Sequence, residues 1–285
     1  MGEGRRRGWR GAGRAGRAGY DRPVDAVELA YDEAGTGSAV VLIHGHPFNR
    51  SMWAPQLAAL AGHYRVIVPD LRGYGDSPVT PGTVPMSQLA ADVARLLDRQ
   101  GVSRAAVVGL SMGGLVAMEL AAADPARWWA LGLVATTAEP VTKAERADRR
   151  ARAAQAERDG IGPLAQDMAP RLFGPDVAPA VSGLVMAMML ATDPRGAAAA
   201  LRGRAQRPDY RPILRGLDLP ALVLTGDQDS YSTADITDRL TAALRHPHRV
   251  TLPGLGHLPN LEAPARFNAE LTAFLDQAAA AARSG

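Results

Sequence analysis

Residues 107–121 read VVGLSMGGLVAMELA: an apolar run, a glycine–serine–glycine cluster, then an apolar stretch with helical spacing. With Ala105 and Ala106 before it, the run through Leu110 has no polar alternation, as expected of a strand covered on both faces of a sheet. Gly109, Ser111 and Gly113 spell G-x-S-x-G, and Gly114 follows. Between a strand and a helix this pattern makes a sharp elbow that lifts one serine hydroxyl above the sheet. The glycines serve where the two backbones pass too close for a Cβ. A glycine-rich turn with an incidental serine is the bland alternative, and the strand and helix patterns on either side weigh against it. Ser111 is the candidate nucleophile.

A serine nucleophile needs a base, and the base needs an acid to orient it. Downstream, the strand-like run ALVLTG ends in Gly226-Asp227-Gln228-Asp229, and HRVTLPG is followed by Leu255-Gly256-His257-Leu258-Pro259-Asn260. Both segments fall where loops leave the carboxyl ends of strands. The order is Ser111, then Asp227 or Asp229, then His257, which is the nucleophile–acid–base order of α/β hydrolases.

Around these segments, seven β-type runs alternate with helical patterns: ELAYDEAG, AVVLIHG, YRVIVPD, AAVVGLS, WWALGLVAT, ALVLTGD and HRVTLPG. Helices are expected over 51–61, 86–100, 112–123, 234–244 and 262–282. Such alternation predicts a doubly wound, mostly parallel α/β sheet. The rhythm stops over 138–219, where four helical stretches (142–159, 162–173, 177–191 and 194–207) are punctuated by prolines and glycines. A helical insertion before the penultimate strand predicts a cap over the carboxyl ends of the strands, where open α/β sheets bind ligands. The expected organisation is a core of residues 23–137 and 220–285 with a helical cap of 138–219.

The chain has 285 residues, of which 47 % are hydrophobic and 21 % charged, the profile of a globular protein. Its net charge of +3 is unevenly spread. Seven arginines against Glu3 and Asp21 give residues 1–22 a net +5, which leaves the remainder at −2. The high pI belongs to this Arg/Gly-rich tail, which is expected to be disordered. The body offers no basic face for nucleic acid. Gly11, Gly13 and Gly16 spell G-x-G-x-x-G, but no strand precedes them, so no dinucleotide site is read there. The chain has no cysteine, which excludes disulfides and thiolate chemistry and fits a cytoplasmic setting. No apolar run is long enough to span a membrane. His44, His46, His63, His246, His248 and His257 show no metal-ligand spacing, so no metal site is expected.

From Val27 onward the chain resembles the α/β-hydrolase family. The stretches that carry the resemblance are VVLIHGHPFNRSMW, YRVIVPDLRGYGDS, VVGLSMGGLVAMELA, LVLTGDQD and GLGHLPNLEAP, in order and at natural spacing. Serine-nucleophile carboxylesterases and 3-oxoadipate enol-lactonase-type hydrolases are the most similar members. The resemblance implies Asp229 over Asp227 as the acid. It also implies the backbone amides of His46 and Met112 as the oxyanion hole, with His44, Asp70 and Asp76 bracing loops. At His46 the family often carries a large apolar residue, so its imidazole is a departure. Phe48, Trp53 and Met186 are expected to line the substrate pocket, while Trp128 and Trp129, being adjacent, should face opposite sides of the sheet. Arg146, Arg149, Arg150, Arg152 and Arg171 suit either a carboxylate-bearing substrate or a solvated helix face.

The expected activity is hydrolysis of a small ester or lactone, with no cofactor and with a small-molecule substrate as the expected partner. Pro47 beside the oxyanion donor also resembles cofactor-free perhydrolases of the haloperoxidase type, and carbon–carbon bond hydrolases share the framework. A ligand receptor or cyclase that turns over little is the reading from another class, since a fold does not determine a reaction.

Overall fold

The computed structural model describes residues 26–284; the Arg/Gly-rich segment 1–22 lies outside them. The chain runs β1 (Tyr31–Ala34), β2 (Ala39–Ile43), a 3-10 turn at Arg50–Trp53, α1 (Ala54–Leu60), β3 (Arg65–Pro69), α2 (Met86–Arg99), β4 (Ala105–Leu110), α3 (Met112–Ala123) and β5 (Trp128–Val134). Five helices follow: α4 (Lys143–Asp159), α5 (Gly162–Met168), α6 (Pro179–Leu190), α7 (Pro194–Arg204) and α8 (Arg211–Gly216). The chain then returns to the sheet with β6 (Pro220–Gly226), α9 (Ala234–Thr241) and β7 (His246–Leu252), and ends in α10 (Pro259–Glu262) and α11 (Pro264–Ser284).

The strands form one sheet in the order β1-β3-β2-β4-β5-β6-β7, parallel except for β1 against β3. This is the doubly wound sheet expected from the sequence, with the helical insertion before the penultimate strand. Along β2, Val41 and Ile43 pack into one apolar cluster with α2 and α3, while Val40 and Leu42 pack into another with α11. Both faces are covered, which is why the run needs no polar alternation. Trp128 and Trp129 divide the same way, one in each cluster. Trp128 Nε1 donates to the Leu120 carbonyl at 3.0 Å, and Trp129 stacks on Tyr64.

Winding reverses at β2, which lies between β3 and β4. Ligands of open α/β sheets bind outside the carboxyl ends at such a switch point. Here Ile43 pairs with Gly109, so the loop His44–Phe48 leaves the sheet beside the turn that carries Ser111.

The helices α4 to α8 lie between β5 and β6. Thr142 and Glu145 close a capping box at the start of α4: Glu145 N donates to Thr142 Oγ1 at 3.2 Å and Thr142 N to Glu145 Oε2 at 2.8 Å. Ala153 on α4 packs with Ala197, Ala198 and Leu201 on α7; the small side chains let the two helices approach closely. α7 is anchored to the core by the Val84 amide, which donates to the Ala199 carbonyl at 3.0 Å. Among the other contacts of the inserted helices with the core, Thr192 Oγ1 donates to the Pro47 carbonyl at 2.9 Å.

Three expectations differ in detail. The stretch 162–173 is α-helical only to Met168 and tightens into a 3-10 turn at Ala169–Arg171, where Pro170 cannot donate. The C-terminal helix expected over 262–282 is α11, starting at Pro264, and a separate short helix, α10, precedes it and ends before Pro264. The short helix α8, with Pro212 in its first turn, carries too few residues for a periodic signal. Among the described residues, no helix is long and apolar enough to cross a membrane.

Candidate active site

Ser111 stands between β4 and α3 with φ 54° and ψ −113°, a backbone region that a residue with a Cβ rarely occupies. Its amide donates to the Val134 carbonyl at 2.9 Å, which fixes the turn against β5. The flanking glycines are dictated by contact. A Cβ on Gly109 would run into the Gly113 backbone, and one on Gly113 would meet the Ile43 and His44 carbonyls of the neighbouring strand.

His257 reaches the same place from the loop after β7. Its ring is buried, and its Nδ1 lies 3.0 and 2.9 Å from the two carboxylate oxygens of Asp229. The backbone amide of Tyr231 adds a hydrogen bond to Asp229 Oδ1 at 2.8 Å. Burial by itself raises the Asp229 carboxyl. The His257 ring, with the amides of Tyr231 and Ser232, outweighs it and holds the group below the usual carboxylate range. Asp227 faces elsewhere: it is exposed and accepts from the Gly254 amide at 2.7 Å. The carboxylate that meets His257 is therefore Asp229.

Ser111 and His257 line one cavity, in two adjoining lobes of about 370 and 210 Å³. Among the described residues the Ser111 hydroxyl makes no hydrogen bond to the His257 ring, as is common for such a pair before substrate enters. The amides of His46 and Met112 make no hydrogen bond to another described residue. The Met112 amide also opens helix α3, where the helix dipole favours negative charge.

The other histidines sort by their partners. His44 Nε2 accepts from the Leu71 amide at 2.9 Å, so its proton sits on Nδ1 and is donated to the Gly45 carbonyl at 2.8 Å. Both ring nitrogens are spent on holding loops. Asp70 likewise accepts from the amides of Arg50 and Asp76, at 2.7 and 2.9 Å, and pairs with the Arg50 guanidinium. His63, His246 and His248 are exposed. Among the described residues no group of three potential ligands gathers to hold a metal.

The expected pocket wall needs correction. Phe48 and Trp53 are fully buried in the apolar core, Trp53 against Phe267, and line neither lobe. The 3-10 turn after the His44–Phe48 loop, capped by Asn49, drives Met52 and Trp53 inward, away from the cavity. Met186 is absent from both lobes and packs half-buried against the core. The walls come instead from Leu164, Met168, Leu201 and Tyr231, and from arginines of the cap. Of the arginines singled out in the sequence, Arg149, Arg152 and Arg171 line the cavity, whereas Arg146 and Arg150 do not. Arg204 and Arg207 join the lining and had no distinguishing sequence signal. Which arginines turn inward is decided by how α4 packs on α7.

This sheet order, with a serine elbow after β4 and a histidine after β7, defines one class of protein. Residues 40–270 match the alpha/beta hydrolase family, and the chain belongs to it. It is 32 % identical over 247 residues to 3-oxoadipate enol-lactonase 2 of Acinetobacter baylyi, covering 85 % of this chain and 91 % of that one. A malate-bound thermophilic esterase from Thermogutta terrifontis superposes with a TM-score of 0.87 at 37 % identity, over 88 % of this chain and 94 % of that one. A further relative, described as putative non-heme bromoperoxidase BpoC of Mycobacterium tuberculosis, is 28 % identical over 87 % of this chain and 97 % of that one. The family and these relatives support hydrolase activity.

Proposed function

We propose that the chain hydrolyses a small carboxylic ester or lactone through an acyl-enzyme on Ser111. The observation that carries this reading is the juxtaposition of a strained serine elbow with a histidine whose Nδ1 is held by a buried carboxylate. Ser111 Oγ attacks the substrate carbonyl while His257 Nε2 takes its proton. Asp229 keeps the Nδ1 proton in place and stabilises the imidazolium. The amides of His46 and Met112 donate to the tetrahedral oxyanion. On collapse, His257 returns the proton to the departing alkoxide or enolate oxygen. It then takes a proton from water, which attacks the acyl carbon, and delivers that proton to Ser111 Oγ as the acyl–oxygen bond breaks and the acid leaves. None of these steps calls for a cofactor.

Likeness to an enol-lactonase and an esterase supports the substrate class. Likeness to a bromoperoxidase, together with Pro47 next to the His46 amide, favours a second reading in which hydrogen peroxide replaces water in deacylation and a peracid leaves. The experiment is fluorophosphonate labelling with a p-nitrophenyl ester series from acetyl to octanoyl, run beside Ser111→Ala. Labelling of Ser111 and short-chain turnover that vanishes in the variant are expected; turnover retained by the variant, or a folded protein that neither labels nor turns over, overturns the reading. Peracid formation under added peroxide separates the second reading from the first.

A further inference from the structure

Buried polar groups in proteins are almost always paired, and each exception asks for an explanation. Among the described residues eight buried side-chain nitrogens or oxygens lack a partner, and four of them belong to residues lining the smaller lobe beside Ser111 and His257. These four are His46 Nε2, Arg149 Nη1, Arg204 Nε and Tyr231 Oη. Two are guanidinium nitrogens, which can only donate, and a phenol hydroxyl donates readily.

The His46 ring is also a donor on this side. Its Nδ1 lies 2.7 Å from the Tyr74 hydroxyl, which is 3.9 Å from Met112 Sδ. Burial pushes the Tyr74 phenol up, so it keeps its proton. An imidazole nitrogen is a far better acceptor than a thioether, so Tyr74 donates to Nδ1 and the single ring proton of neutral His46 sits on Nε2. Burial and the nearby Arg204 charge hold His46 well below its ordinary value, which keeps the ring neutral.

The acceptors on the same wall are already engaged. Glu145 accepts from Arg149 at 3.2 Å and from the Thr142 amide at 2.8 Å, and lies 3.7 Å from Arg207. Asp148 accepts from Arg152 at 2.9 Å, and Arg171 turns to Asp167 at 2.5 Å. The Arg204 side chain alone among these cations makes no hydrogen bond or ion pair with any described residue. A half-buried guanidinium without a counter-charge, in one lobe with three further unpaired donors, is a site short of an anion.

We infer that this lobe binds a carboxylate carried by the substrate, held by Arg204 and Arg149 with His46 Nε2–H as a third donor. The inference rests on the ester-hydrolase reading and narrows it to esters or lactones that bear a free acid group. Such a substrate would set its reacting carbonyl at Ser111 and its acid at Arg204; Tyr231, with its ring centroid 4.9 Å from that of His257, lines the same lobe. The acid lies on either the acyl part or the leaving group, and the choice of probes separates these.

The test compares mono-p-nitrophenyl glutarate with p-nitrophenyl valerate, and 4-acetoxybenzoate with phenyl acetate, in the wild-type protein, Arg204→Met and Arg204→Lys. The first pair puts the acid on the acyl side and the second on the leaving side. Calorimetric binding of glutarate to the same proteins runs alongside, with thermal melting to establish that each variant is folded. A charge-assisted hydrogen bond to a carboxylate is worth about tenfold to a hundredfold. The expected result is an anionic-over-neutral ratio of kcat/KM that exceeds unity in one pair and falls by about tenfold or more in Arg204→Met. Arg204→Lys should fall between, and glutarate binding should weaken in parallel. Neutral esters preferred in both pairs, with ratios and glutarate binding untouched in a folded Arg204→Met, overturn the inference while leaving ester hydrolysis standing. If no ester is turned over, the hydrolase reading fails. Glutarate binding then decides the anion site alone: binding lost in Arg204→Met sustains it, and no binding to the wild-type protein overturns it.

Discussion

Asp229 places both carboxylate oxygens within hydrogen-bonding distance of His257 Nδ1, at 3.0 and 2.9 Å. Asp227, two residues earlier, spends its side chain on the Gly254 amide. The two carboxylates therefore make opposite predictions. Asp229→Asn keeps the shape but lets the imidazole settle in the wrong tautomer, and it should lower kcat by about 10³- to 10⁴-fold. Asp227→Asn should stay within about threefold of the wild type, because it touches only an exposed turn. Initial rates on one ester for both variants check this; equal losses would remove Asp229 from its role.

The same pair gives a pH dependence. Asp229 is held below its ordinary value in the folded protein, whereas in the unfolded chain it titrates near about 3.9. The unfolded state thus binds the proton more readily. The stabilisation from the ionised carboxylate is complete above about pH 5, and it is lost as pH falls through the folded value. Thermal melting of wild type and Asp229→Asn from about pH 7 to pH 3 should show a gap in Tm that narrows only at the acid end. A gap that stays constant to about pH 3 would contradict the depressed carboxyl.

Gly113 and Gly183 are both glycines inside helices, and the same substitution should have opposite signs at the two. A helix interior favours alanine over glycine by about 1 kcal/mol. At the exposed Gly183 on α6 nothing stands within 4 Å of the added Cβ, so Gly183→Ala should stabilise by about 0.5–1 kcal/mol. At Gly113 the Cβ would sit 2.7 Å from the His44 carbonyl oxygen and nearer still to that of Ile43. Those are strand and loop backbone and cannot step aside, so Gly113→Ala should destabilise by about 1–3 kcal/mol and disturb the turn that presents Ser111. Urea unfolding of both variants checks the sign.

The contrast between these glycines shows what sequence carries well. Gly109, Ser111 and Gly113 are legible because the constraint that selects them is local: one turn, one close approach, one strained residue. The strand runs are legible because burial on both faces leaves only apolar side chains. Asp229 and Asp227 are not separable by residue type, since both lie on one loop, and the folded path of that loop buries Asp229 against His257 and leaves Asp227 exposed. Phe48 and Trp53 show the opposite failure. Phe48 ends the His44–Phe48 loop and Trp53 follows it, yet Phe48 is fully buried and the turn capped by Asn49 carries Trp53 into the core. Arg204 sits in an arginine-rich stretch with Arg202 and Arg207. Arg202 pairs with Glu157 and Arg207 reaches the Glu139 carbonyl, so a pattern of charges could not single out the unpaired one. That information exists only once the alanine-lined faces of α4 and α7 have met.

Arg72 and Asp92 form a buried two-pronged ion pair, with Nε and Nη2 at 2.7 and 2.8 Å from the two carboxylate oxygens and side-chain exposures of 1 % and 0 %, and Asp92 also pairs with the half-buried Arg95 on its own helix. Arg72 belongs to the loop after β3, and Asp92 to the middle of α2. The pair thus ties a loop at the carboxyl edge of the sheet to a helix packed on its face. Taking two charges out of water is expensive, so the pair adds little over well-packed apolar residues, but leaving one charge without the other costs about 3–5 kcal/mol. Asp92→Leu should therefore destabilise strongly, while Arg72→Met combined with Asp92→Leu should recover part of the loss, the remainder belonging to Arg95, which keeps its charge but loses its partner. Urea titrations of the two single variants and the double variant form a thermodynamic cycle. A double variant no more stable than Asp92→Leu would mean that the pair holds the loop through its hydrogen bonds, and not merely by mutual neutralisation.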